Sequence, residues 1–94
     1  MTADERTECS VKFLGRVQGV GFRLTARQLA PRFGITGTVS NLPDGSVEIV
    51  AQGERAAVDR FVAAVEDRMS GYIVRSIKIW RDPRQNYLKF SILA

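Results

Sequence analysis

Gly15-Arg16-Val17-Gln18-Gly19-Val20-Gly21-Phe22-Arg23 is the stretch from which the fold of this chain can be read. It places three glycines within seven residues and puts arginines at Arg16 and Arg23. Glycine gives up more backbone freedom on folding than any other residue, so such density marks a place that needs bare main chain. Val11 and Phe13 alternate into the stretch, and Phe22, Ala26, Leu29 and Phe33 leave it at helical spacing. It therefore reads as a strand, a glycine loop and a helix start. Inward-folded N–H groups, the positive end of the helix and the planar fork of Arg23 together make an anion cradle.

Toward the N-terminus the first strand spans Ser10 to Gly15, preceded by a loosely docked, flexible lead-in over residues 1–9, so that residues 10–94 form the domain proper. Toward the C-terminus the first helix begins near Phe22. Pro31 ends or kinks it near Ala30, and Gly34 stops it. Strands over Thr36–Asn41 and Ser46–Gln52 are joined by Leu42-Pro43-Asp44-Gly45, whose proline and glycine have hairpin chemistry. A second helix runs from Glu54 to Met69 with Val58, Phe61, Val62, Val65 and Met69 on its core face. A strand over Tyr72–Trp80, a polar turn over Arg81–Asn86 and a last strand over Tyr87–Leu93 complete the chain. The expected fold is α+β, a ferredoxin-like βαββαβ sandwich with both helices on one face of an antiparallel sheet, plus a C-terminal strand. In it the strand ends at the glycine loop and at Asn41 lie on one edge, two strand spacings or about 10 Å apart.

Ninety-four residues make one domain with one core, and no apolar run is long enough to cross a membrane. The polar, acidic first ten residues do not read as a secretory signal, so a cytoplasmic location is expected. Cys9 is the sole cysteine and histidine is absent, which excludes an internal disulfide, Cys/His zinc patterns and a histidine base. Between Glu8 and Asp44 there is no acidic residue, while Lys12, Arg16, Arg23, Arg27 and Arg32 surround the glycine loop with positive charge.

The glycine loop fits none of the commoner phosphate motifs. Leu24 stands where a dinucleotide fingerprint needs its third glycine, no Gly-Lys-Ser/Thr is present, and Cys9 lies at the wrong end for a thiol phosphatase. What remains is chemistry that asks for positioning and charge, as phosphoryl transfer does. An acyl phosphate suits it, because a carboxylate leaves without a proton. Arg23 is available to hold phosphoryl oxygens and Asn41 to orient water.

Gly15–Arg23, followed by Gly37-Thr38-Val39-Ser40-Asn41 and Asp44-Gly45-Ser46-Val47-Glu48, resembles the two signature blocks of the acylphosphatase family, with the likeness running from about residue 10 onward. The resemblance implies metal-free, cofactor-free hydrolysis of the carboxyl–phosphate bond. It implies Arg23 and Asn41 as catalytic residues. It also implies phosphate binding by the amides of Gln18, Gly19, Val20, Gly21 and Phe22 with Arg23. Leu24 and Thr38 replace residues that are often aromatic in the family, beside the expected site, and bear on substrate preference. A small acyl phosphate as substrate, phosphate or sulfate as competing ligand, and a monomer are the expected partners and state. The alternatives are a phosphate- or carbamoyl-phosphate-binding module without turnover and, less favoured, a nucleic-acid-binding ferredoxin-like domain; the latter needs exposed sheet aromatics that the first and third strands lack.

Overall fold

The computed structural model describes residues 6–94. The elements are β1 (Arg6–Gly15), α1 (Phe22–Leu29) with a 3₁₀ turn over Ala30–Phe33, β2 (Thr36–Asn41), β3 (Val47–Glu54), α2 (Arg55–Arg68), β4 (Ile73–Arg81) and β5 (Phe90–Ile92). The sheet order is β4-β1-β3-β2-β5, so β3 lies antiparallel between β1 and β2, and β5 joins β2 in parallel. This is the expected ferredoxin-like α+β sandwich. Pro31 sits at the start of the 3₁₀ turn and Gly34 closes it with φ 69°, as a residue without an N–H and a residue tolerant of positive φ should.

The alternation of the strands assigns their faces. Cys9, Val11 and Phe13 of β1, Val47, Ile49 and Ala51 of β3, and Val39 of β2 are all buried beneath the helices. They meet Phe22, Ala26 and Leu29 of α1 and Ala57, Val58, Phe61, Val62 and Val65 of α2. Phe13 and Phe22 touch at 4.9 Å between ring centroids, pinning the first residue of α1 to β1. β1 ends in a register shift between Leu14 and Gly15. A side chain at Gly15 would collide with the Tyr72 carbonyl, so only glycine lets the chain turn off the sheet there.

Most boundaries shift from the sequence reading by one or two residues, and two shift further, for one reason. β1 starts at Arg6, so residues 6–9 of the expected lead-in belong to the sheet, pairing with Ala51–Glu54; residues 1–5 of that lead-in lie outside the described residues. The last strand is only Phe90–Ile92, because the segment before it crosses the sheet from the β4 edge to the β5 edge. Both shifts follow from a polar cluster on the helix-free face. Gln52, wholly buried, donates from Nε2 to Glu8 Oε1 at 2.8 Å and to the Gln85 carbonyl, and its Oε1 accepts the Tyr87 N–H at 3.1 Å. Arg81 Nε donates to Glu8 Oε2 at 2.5 Å. Glu8 sits in a polar N-terminal segment and its partners Gln52, Arg81, Gln85 and Tyr87 are distant in sequence, so no apolar periodicity marks the cluster, and pattern reading starts the first strand too late and the last strand too early.

Burial alone would raise the Glu8 pKa, but the Gln52 amide and the Arg81 guanidinium outweigh it and hold the carboxyl below its ordinary value. A depressed folded-state pKa contributes stability that is present above the unfolded pKa of about 4.3 and is lost as pH falls through the folded value. Glu8→Gln is therefore expected to cost about 2 kcal/mol at pH 7, and the gap to the parent protein should narrow progressively below pH 4. Urea denaturation of both proteins across this range is the measurement.

Candidate active site

The glycine loop is held by its apolar residues and leaves its main chain free. Val17 is wholly buried, Val20 packs against the core, and Phe22 is buried at the start of α1. Between these anchors Gly19 and Gly21 take φ of 75° and 82°, with Gly21 as the left-handed N-cap of α1. Both line a pocket of about 230 Å³ and, lacking side chains, do so with main chain. Flanking the loop, the Arg16 N–H donates to Tyr72 O and the Thr25 N–H to Gly21 O. Among the described residues, the turn at Gln18–Gly19 aside, none of the N–H groups from Gln18 to Leu24 donates to a protein acceptor. Four orphan donors are inherent in a helix start; here the loop before it extends the set, and the α1 dipole adds to its positive potential. No acidic residue occupies the first turn of α1.

Arg23 and Asn41 meet at this pocket from different elements. Arg23 is the second residue of α1, half-buried, lining the pocket and free of any ion pair among the described residues. Asn41 is the last residue of β2, opposite Val47, which puts its side chain on the helix side of the sheet. Its main-chain N–H donates to Ala94 O at 3.0 Å, so the end of the chain fixes its backbone. Its side-chain Oδ1 is buried and accepts no hydrogen bond from any described residue. Leaving such an acceptor unpaired costs about 1–3 kcal/mol. The pocket thus brings the main chain of the glycine loop, Arg23 and Asn41 together, with Val17, Phe22, Leu24 and Ile92 as its apolar lining.

The turn after Asn41 is separately braced. Asp44 accepts from the Ser46 N–H at 2.9 Å and its hydroxyl at 2.5 Å, and pairs with Lys12 Nζ at 2.7 Å. The Lys12 ammonium and these Ser46 donors hold the Asp44 carboxyl well below the usual carboxylate range. Cys9, by contrast, is wholly buried in β1, and burial pushes its thiol up, so it is a core residue.

Of the expected site residues, Gly19, Gly21, Phe22, Arg23 and Asn41 line one pocket. Gln18 and Val20 do not: the Gln18 side chain points to the β2–β3 turn and the Val20 side chain to the core. Thr38 is not beside the pocket either. It pairs with Val50 and Ser91 on the face opposite Asn41, since residues 38 and 41 differ by an odd number in a strand of period two. Leu24 does line the pocket, at 46% exposure. Ile92 was missed, because nothing in the sequence says that β5 adds to β2 in parallel and sets Ile92 opposite Val39.

The acylphosphatase family model matches residues 9–92. An acylphosphatase of Archaeoglobus fulgidus is 42% identical over 78 residues, which cover 83% of this chain and 88% of that protein. One from Latilactobacillus sakei is 62% identical over a shorter, 52-residue stretch that spans 55% of this chain and 56% of the relative. The crystal structure of acylphosphatase from Bacillus subtilis superposes with a TM-score of 0.84 at 30% identity, covering 94% of this chain and 99% of that one. A ferredoxin-like sandwich whose first loop lines a pocket with glycine main chain defines the class. Within it, this chain belongs to the acylphosphatase family.

Proposed function

We propose that the chain hydrolyses the carboxyl–phosphate bond of small acyl phosphates at the pocket between the glycine loop and Asn41. The observation that carries this reading is that the glycine-loop main chain, Arg23 and Asn41 line one pocket. The loop N–H groups of Gly19 and Gly21 to Leu24 and the Arg23 guanidinium suit phosphoryl oxygens, and the Asn41 amide, whose Oδ1 has no partner among the described residues, is available to orient a water. Arg23 and the loop amides hold the phosphoryl group as charge spreads over its oxygens. Asn41 aligns the water for attack on phosphorus opposite the carboxylate. The P–O bond to the acyl group breaks and the carboxylate leaves unprotonated. No carboxylate lines the pocket, so both protons of the water leave on the phosphate as H2PO4⁻. Leu24 and Ile92 form the apolar wall on which the acyl portion rests.

The test is turnover of acetyl phosphate by the purified protein, followed by release of inorganic phosphate with and without EDTA. Hydrolysis well above the uncatalysed rate and indifferent to EDTA is the expected result. Phosphate binding without turnover would instead leave the module reading, in which the cradle binds phosphate and does no chemistry.

Inorganic phosphate or sulfate should occupy the same cradle and compete with substrate. A ligand bound only by the folded state adds about 1.4 kcal/mol at ten times its Kd, equivalent to a rise in Tm of about 6–10 °C for a domain of this size. The rise should saturate with the constant that describes phosphate inhibition, should be largely lost in Arg23→Ala at phosphate concentrations that saturate the parent protein, and should not be reproduced by chloride at matched ionic strength. Differential scanning calorimetry reads it directly.

A further inference from the structure

Gln18 does something in this structure that phosphate binding does not account for. Its side chain is not part of the pocket lining, and Nε2 donates to Leu42 O and Ser46 O, each at 2.9 Å. Those carbonyls close the turn that follows Asn41. Leu42 O already accepts the Gly45 N–H at 3.1 Å, and Ser46 O the Leu42 N–H at 2.9 Å. A carbonyl oxygen has two lone pairs and a primary amide two N–H groups. One glutamine therefore completes both acceptors of the turn from the loop that carries the cradle. Across the pocket, the loop and the end of β2 are otherwise on different elements, separated by β3.

From this geometry we infer that Gln18 is a positioning residue: it sets the distance and angle between the phosphate cradle and the Asn41 side chain, and acts on turnover through Asn41 without touching substrate. The inference rests on the reading of Asn41 as the residue that orients water. Misplacement of a reacting group by about 1 Å costs on the order of 10²-fold in rate. The cradle has its own anchors in Val17, Val20 and Phe22, so phosphate affinity does not depend on the Gln18 amide.

The experiment is a cycle of Gln18→Met, Asn41→Ala and the double variant, assayed with acetyl phosphate as substrate and inorganic phosphate as inhibitor. Methionine keeps the length of the side chain and removes both donors. Gln18→Met is expected to lower kcat by about 10-fold or more with the phosphate inhibition constant within about twofold of the parent. On the Asn41→Ala background it should have little further effect, since residues acting as a unit are not additive. Gln18→Glu supplies a second readout, because its carboxylate faces two carbonyl oxygens near neutral pH and regains one donor when protonated. Its kcat relative to the parent should rise as pH falls through the range in which the introduced carboxyl titrates. Gln18→Met with kcat within twofold of the parent overturns the inference and leaves the Asn41 reading standing. So does a Gln18→Met loss that is fully retained on Asn41→Ala, or one matched by an equal loss of phosphate affinity. Full turnover in Asn41→Ala alone overturns the Asn41 reading and this inference with it.

Discussion

Arg23→Gln is expected to lower kcat/KM for acetyl phosphate by about 10³-fold or more and to weaken inhibition by inorganic phosphate in parallel. Both losses come from one cause. The guanidinium meets the phosphoryl oxygens in the ground state and holds more charge as the P–O bond loosens, so its removal affects binding and turnover together. Arg23→Lys tests the geometry separately from the charge. An ammonium restores the positive charge but not the planar pair of donors, and without an ion pair to orient it from the protein side it should recover little of the lost rate. The amides of the loop remain in both variants, so each should keep residual phosphate binding that weakens with added salt. Because Arg23 makes no protein hydrogen bond among the described residues, the melting temperature without phosphate should be nearly unchanged. Near-parental turnover in Arg23→Gln, measured alongside an intact melting curve, would remove Arg23 from the site.

What could be read from the sequence, and what could not, divides along a physical line. The apolar alternation of β1 and β3, the helical spacing of α1 and α2 and the punctuation at Pro31, Gly34 and Pro43-Asp44-Gly45 are local signals, and they place the elements within a few residues. That Arg23 and Asn41 share a pocket follows from topology, since β1 and β2 run parallel about β3 and end on the same edge. The signals that failed are those with no period. Glu8 and Gln52 are buried because each completes the other and Arg81, Gln85 and Tyr87 complete both, a reciprocity of partners 44 residues apart that no window of sequence displays. Gln18 shows the same limit within the site. Its position in the loop reads as one more amide of the cradle, while the direction of its side chain depends on where the β2–β3 turn comes to rest. The displacement of Thr38 from the site needed only parity: two strand residues separated by an odd number lie on opposite faces.

Asn41→Ala should give a different signature from Arg23→Gln. If the amide orients water and does not hold phosphate, kcat falls by at least about 10²-fold, while the phosphate inhibition constant stays within about twofold. The stability measurement sharpens this. In the parent protein Asn41 Oδ1 is a buried acceptor without a partner among the described residues, so the folded state already bears the cost of desolvating it. Alanine removes that acceptor and keeps the main-chain N–H that donates to Ala94 O. The variant should therefore be no less stable than the parent and more stable by about 1 kcal/mol, the opposite of what loss of a structural asparagine produces. A group retained at a cost to stability and needed for turnover is the expected mark of a functional site. Asn41→Asp separates orientation from charge: its carboxylate also accepts from water, but it repels the phosphoryl group, so it should lose phosphate affinity where Asn41→Ala does not. Urea denaturation, kcat and phosphate inhibition measured on the same three proteins decide the matter. A destabilised Asn41→Ala with parallel losses in kcat and phosphate affinity would mean that this side chain builds the pocket and does not place the water.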